Sequence, residues 1–241
     1  MEPLSAEAPH RIAHPVMLQT WRHLTFLHWR YEPAEVRPLV PAGLNLDLYD
    51  GAAWVGLVPF VITGLTHPRL PPLPWLSQFP ETNVRTYVTD ARGRRGVWFF
   101  SLDAARLAAV IGARAAFALP YYWARMKVAW NGPSVRYFST RLAGPQAASA
   151  IEVAPEEDIP RPSELEIFLT ARFRLYARRR DRLLQADIEH PPWPLRQARV
   201  VRLTQNLVAA AGLPIPRGEP LAHFSSRVDV RVAPPGPALK I

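Results

Sequence analysis

The chain has 241 residues, 49% of them apolar, a formal charge of +9 and no cysteine. Disulfides and thiolate metal sites are thereby excluded, and the length suits one large domain or two small ones. No apolar run reaches the ~18 residues that suggest a membrane span, and no apolar core with a cleavage site marks the N-terminus, so a cytoplasmic protein is expected.

Residues 1–19 carry little periodicity and read as an arm. Trp21 to Tyr31 is rich in aromatic and β-branched groups and predicts a strand. Pro33 can open a helix at its first position, which would stop before Pro38 or Pro41. Leu44 to Leu48 alternates strictly, as a half-buried strand does, and Asp50-Gly51 signals a hairpin back into Ala53 to Ile62. That returning strand is apolar on both faces and therefore central. His67 to Phe79 is a proline-rich loop in which Pro68, Pro71, Pro72 and Pro74 forbid pairing, while Trp75 and Phe79 suggest a packed lid. Glu81 to Thr89 and Val97 to Leu102 are strands joined by a basic turn at Asp90 to Gly96.

Asp103 is placed to cap a helix from Ala104 to about Phe117. Pro120 ends it, and Tyr121-Tyr122 follow at once, on opposite faces if the backbone is extended. Asn131-Gly132 is a hairpin turn between Arg125–Trp130 and Ser134–Leu142. Residues 144–162 read as polar and irregular, and Ser163 with Glu166 forms a capping box over a short helix. Arg172–Tyr176 and Leu183–Ile188 are strands around Arg178–Arg180, and His190 to Pro194 is a rigid turn with Trp193 as a barrel plug. Arg199–Leu203 reads as a strand, Thr204–Ala211 as a helix stopped by Gly212, and His223–Val232 as a final strand. The tail 233–241 is expected to fray. With no repeat and no linker, the domains are an arm 1–19, one unit 20–232 and a tail 233–241. The fold class is α+β: a mainly antiparallel, curved or barrel-like sheet with a few peripheral helices.

No Gly-rich phosphate loop, G-x-S-x-G or H-E-x-x-H is present. The histidines at 10, 14, 23, 28, 67, 190 and 223 lack paired ligand spacing, so neither a metal nor a cofactor is expected. Lysine occurs only at 127 and 240, and the basic clusters Arg92–Arg95 and Arg178–Arg180 fall at expected turns, where solvated loops are the commoner explanation than nucleic-acid contact.

Asn83 to Val88, Gly96 to Asp103, Leu119-Pro120-Tyr121-Tyr122 and His190-Pro191-Pro192-Trp193-Pro194 together resemble the YqjF-like bacterial family, a domain of unknown function within the acetoacetate-decarboxylase-like superfamily. The resemblance spans about 20–232. It implies that Arg22 stands at the decarboxylase's active-site arginine, that Glu81 matches one of its two site glutamates, and that Arg114 lies near its Gly-Arg-Glu. Val55 falls where the other glutamate belongs. Tyr121 and Tyr122 fall on the lysine pair that forms and acidifies the Schiff base. A phenol cannot form an imine, so the resemblance implies the fold and the pocket but argues against acetoacetate decarboxylation.

A barrel-interior pocket for a small carbonyl or carboxylate compound is thus expected, with Glu81 and Tyr121 as catalytic groups and Arg22, Arg114, Tyr122, Asn83 and Arg85 as binding groups. Asn83, Arg85 and Tyr87 share a strand face with Glu81 at period two. His190 is an alternative general base. Any chemistry would be non-covalent acid/base catalysis. Two alternatives stay open: a structural or partner-binding domain with a filled barrel, and a basic nucleic-acid-binding module; Glu81 with Arg22 or Arg114 could instead be a structural ion pair that sets strand register. A homodimer would be unsurprising.

Overall fold

The computed structural model describes residues 1–73 and 75–240. Pro74, one of the prolines expected to forbid pairing, and the final residue of the tail lie outside the described residues. Thirteen strands among the described residues form one sheet. In chain order they are β1 (Met17–Tyr31), β2 (Leu44–Leu46), β3 (Ala53–Thr66), β4 (Phe79–Asp90), β5 (Arg95–Ala104), β6 (Tyr121–Asn131), β7 (Ser134–Arg141), β8 (Ala148–Asp158), β9 (Arg174–Arg179), β10 (Arg182–Glu189), β11 (Leu195–Gln205), β12 (Leu221–Val232) and β13 (Gly236–Lys240). Among the described residues four short α-helices lie between them, α1 (Pro33–Val36), α2 (Leu107–Phe117), α3 (Glu164–Thr170) and α4 (Leu207–Ala210), and a 3-10 turn at Arg37–Leu39 follows α1.

The sheet forks at two strands. β5 pairs with β4 along one edge, while its other edge is shared between β9, at Val97 and Trp98, and β6, at Leu102 to Ala104. β12 likewise pairs with β1 on one edge and divides the other between β11 and β10. The sheet therefore closes on itself twice, through β9–β10 and through β6–β7–β8–β11, with β12, β1, β3, β4 and β5 common to both rings. Closure removes the free strand edges that an open sheet would expose. Close approach marks the first fork: a Cβ at Gly96 would meet Tyr176 at 2.7 Å and the Arg174 carbonyl at 2.8 Å, so only glycine fits there.

The shared strands are apolar on both faces because each face meets its own core. Val58, Phe60 and Ile62 of β3 join Phe26, Phe99 and Trp193 in one cluster, and Val55 and Leu57 join Val84, Tyr137 and Ile151 in a second. Alternation along β4 obeys the same rule: Phe79 and Tyr87 belong to the first cluster, Val84 and Val88 to the second.

Several local expectations are corrected. β2 pairs with β4, not with β3, and Asp50-Gly51 closes an isolated Tyr49–Ala52 bridge. The cause is Asp47, buried beneath Arg95 and Arg172 at 2.5 and 3.1 Å, which draws the chain inward before the turn. Asp103 caps no helix. It ends β5 inside the protein, with an oxygen 2.7 Å from Arg141 Nε, and α2 starts only at Leu107. Residues 144–162 hold β8, a strand between β7 and β11 whose Ser149, Ile151 and Val153 are buried. Its alanines and terminal carboxylates masked the alternation. β11 runs through Gln205, so the helix before Gly212 shrinks to Leu207–Ala210. The tail pairs with β10 rather than fraying. At the other end β1 begins at Met17, and the arm is tied down: Ile12 is buried, its N–H donates to Glu189, and the Glu2 carboxylate accepts from the Arg95 N–H at 2.7 Å.

Candidate functional site

A cavity of about 380 Å³ lies inside the first core. β4 sets its polarity. Phe79, Glu81, Asn83 and Arg85 all line it, each two residues after the last, so one strand face carries an apolar group, an acid, an amide and a cation in sequence. Tyr87 continues that face beneath the cavity, fully buried.

Tyr121 begins β6 beside Leu102 of β5, and its hydroxyl donates to Glu81 Oε2 at 2.9 Å. Burial pushes the Glu81 carboxyl up to about 8, and hydrogen bonds from Tyr121 and Asn83 only partly oppose it. Glu81 is thus a neutral acid across the weakly acidic and neutral range. Burial and the adjacent carboxyl raise the Tyr121 phenol well above its ordinary value, so it remains a donor.

The other end is cationic. Arg85 is 9% exposed and packs over Phe26 and Tyr87. Its Nη2 makes long contacts of 3.3 Å to the Leu169 carbonyl and 3.5 Å to the Tyr87 hydroxyl. Its Nε is buried without a partner, and no carboxylate pairs with it among the described residues. Arg172 also lines the cavity, stacks on Phe168 and Tyr87, and pairs with Asp47 at 3.1 Å. Desolvation lowers the Arg172 guanidinium to about 10, which still leaves it charged. His190 completes this end. Burial lowers it to about 4, against backbone hydrogen bonds with Pro191 and Arg172, and its Nδ1 donates to the Pro191 carbonyl at 2.7 Å. Trp193 walls the cavity, stacked on Trp21 at 5.9 Å.

Glu81, Asn83, Arg85 and Tyr121 are therefore brought together, whereas Arg22, Arg114 and Tyr122 stay outside the cavity lining. Trp21 faces the cavity, which sends Arg22 to the opposite face of β1. A bulge follows, with His23 at φ 52°, and restores Leu24 to the inside. Arg114 is exposed on α2 and donates from Nε to the Tyr121 carbonyl at 2.7 Å. Tyr122 turns away from Tyr121, as successive residues of a strand do, and lies under the Arg141 guanidinium, 4.1 Å from Cζ. Neither Arg22 nor Arg114 pairs with Glu81 among the described residues, so the structural ion pair is not formed. Arg172 and Thr170 were missed from sequence. Both sit where α3 runs into the segment before β9, in no periodic pattern. Among the described residues no group of three or more His, Asp or Glu is arranged to hold a metal, and no helix is long and apolar enough to cross a membrane.

The model of the family described as an uncharacterized conserved protein, DUF2071, matches residues 18–229. The chain belongs to the DUF2071 family. It is also 40% identical over 217 residues to the uncharacterized protein YqjF of Bacillus subtilis, covering 89% of each chain. Solved structures with the DUF2071 fold share little sequence. An acetoacetate decarboxylase-like enzyme from Sphingomonas wittichii superposes with a TM-score of 0.67 at 13% identity over 94% of each chain. Acetoacetate decarboxylase from Legionella pneumophila gives 0.67 at 11% over 97% of this chain and 92% of its own. The enduracididine biosynthesis enzyme MppR complexed with pyruvate gives 0.66 at 12% over 95% and 92%. At such identities the likeness is one of fold. The barrel-like, mainly antiparallel α+β architecture of this DUF2071 protein is thus that of the acetoacetate-decarboxylase-like enzymes.

Proposed function

We propose that the cavity binds a small carbonyl or carboxylate compound, with Arg85 as its anion contact and Glu81 and Tyr121 as a non-covalent proton-transfer pair. One observation carries this reading: Arg85 is a buried guanidinium with no acidic partner among the described residues, at one end of a largely apolar cavity. An unpaired buried charge is costly, and a bound carboxylate relieves that cost through the bidentate geometry a guanidinium favours. Glu81, held neutral by burial, would give its proton to a carbonyl oxygen, and the resulting carboxylate would take one back from the adjacent carbon, as an isomerase- or lyase-like step requires. Tyr121 would hold Glu81 in place and donate to it while it is charged.

No imine is involved, because the lysine pair is replaced by Tyr121 and Tyr122 and Lys127 is exposed on β6. MppR, which shares the fold, is complexed with pyruvate, an example of this architecture holding an oxo acid. The cavity volume falls within the ~300–1,000 Å³ of ordinary ligand sites.

Thermal unfolding with pyruvate, 2-oxobutyrate and butyrate tests the reading. Each is expected to raise Tm in the wild type, by an increment that Arg85→Met removes and Glu81→Gln retains. Exchange of the C3 methylene protons of bound 2-oxobutyrate in D₂O, followed by NMR, is expected to need Glu81. Equal Tm increments in the wild type and Arg85→Met would overturn the anion contact. Exchange that is unchanged in Glu81→Gln would remove Glu81 from the proton transfer, and no exchange above the protein-free rate in the wild type would leave a binding protein without turnover.

A further inference from the structure

Glu81, Asn83 and Arg85 line the cavity from one face of β4, but its size is set elsewhere. Ala108, Gly112, Ala113 and Ala116 of α2 all line it, at spacings that place them on one side of the helix. Ala109 and Phe117 of α2 line the cavity too, and Phe117, the one large side chain among them, stands at the C-terminal end of the helix. A Cβ added at Gly112 would have nothing within 4 Å, so the helix stands back from the opposite wall. Ala108, Gly112 and Ala116 are exposed although they line the cavity, which puts α2 at its mouth.

Exposed apolar side chains stand around this mouth, beside the exposed Arg106 and Arg114. Leu107 and Ile111 of α2 are 45% and 59% exposed, and Leu70, Leu73 and Trp75 of the 67–79 loop are 64%, 51% and 67% exposed. Leu76 and Phe79, where that loop leads into β4, line the cavity. From Phe79 at this end to Arg85 at the other is six residues of extended chain, roughly 20 Å. The cavity therefore runs from a mouth under α2 to a buried cation without an acidic partner among the described residues.

Resting on the proposed anion contact at Arg85, we infer that the ligand class is amphipathic monocarboxylates, and that α2 reads the length of the apolar tail. The carboxylate sits at Arg85 and the tail extends along the small-residue side of α2 toward the rim. Short oxo acids bind the same cation but leave that side of the cavity unfilled. Gly112 is thus a specificity-determining residue. A Cβ there meets no protein atom within 4 Å, so a leucine at 112 would compete with the distal methylenes for the open space beside the helix, and replacing a helix-interior glycine also favours the helix.

Isothermal titration with butyrate, hexanoate, octanoate and decanoate tests this in the wild type, Gly112→Leu and Arg85→Met. In the wild type, affinity is expected to rise about fourfold for each buried methylene. Gly112→Leu is expected to hold butyrate within about twofold of wild type, and to lose the gain on going to octanoate and decanoate, a deficit above tenfold. Arg85→Met weakens every member of the series alike. If the wild type binds butyrate and decanoate equally, or Gly112→Leu weakens both by the same factor, the length-reading role is wrong while the anion site stands. If Arg85→Met leaves the whole series unchanged, the anion site fails and the inference fails with it.

Discussion

Glu81→Gln separates the contribution of one buried acid from the rest of the molecule. The carboxyl is 3% exposed and titrates near 8 in the folded chain against 4.5 for the ordinary group. Between those values the unfolded state is ionised and the folded state still holds the proton. The folded state binds more protons there, so stability falls as pH rises. The slope is about 1.4 kcal/mol per pH unit, and the full window amounts to roughly 5 kcal/mol. Below about 4.5 both states are protonated and the effect vanishes; above about 8 it is complete.

Glutamine cannot ionise, and its carbonyl can still accept from Tyr121. Urea unfolding of both proteins from pH 4.5 to 9 is the assay. His190 is lowered by burial to about 4, and it adds stability as pH rises from there to 6.5; this term is common to both proteins and cancels in the difference. The variant is expected to gain on the wild type steadily between pH 5 and 8, ending several kcal/mol more stable. Parallel profiles across that range would show that Glu81 is ionised in the folded state, and the proton-transfer assignment would fall with that result.

Three further outcomes follow from the same geometry. Tyr121→Phe removes a donor to the ionised form of Glu81, so the falling limb of the stability profile should still begin near pH 4.5 but extend about 1–2 units higher, a charged hydrogen bond being worth ~1.5–3 kcal/mol. Arg85→Met should leave the ligand-free protein as stable as the wild type or stabilise it by about 1 kcal/mol in urea unfolding, since the unpaired guanidinium gives way to an apolar chain; a loss above ~3 kcal/mol would mean that Arg85 is structural. Asp103→Ala leaves the Arg141 guanidinium buried against Tyr122 with no partner for its charge, and should cost about 3–5 kcal/mol at pH 7, whereas an exposed pair such as Arg227 with Asp229 should cost under ~1 kcal/mol by the same measurement.

What the amino-acid order determined by itself is what depends on neighbours in the chain. Period two along β4 placed Glu81, Asn83, Arg85 and Tyr87 on one face, and that face lines or underlies the cavity. Extended backbone at Tyr121-Tyr122 sent the two phenols to opposite sides, and the Ser163–Glu166 capping box opens α3 as its spacing requires. The motifs around these residues also carried the family and its barrel-like class.

The tertiary structure alone decided which charges meet. Asp103 has the sequence of a helix cap, yet burial beside Arg141 holds it in a strand. Arg22 has the position of a ligand arginine, yet a single inserted residue, His23, settles which side chains of β1 face inward. Arg172 carries no local signal; it reaches the cavity because β9 docks on β5 far along the chain. Alternation fixes only the relative facing of neighbouring residues. Which face becomes the inside of a closed ring depends on strand pairings between distant segments, and on the desolvation those pairings impose on Glu81, Arg85 and His190.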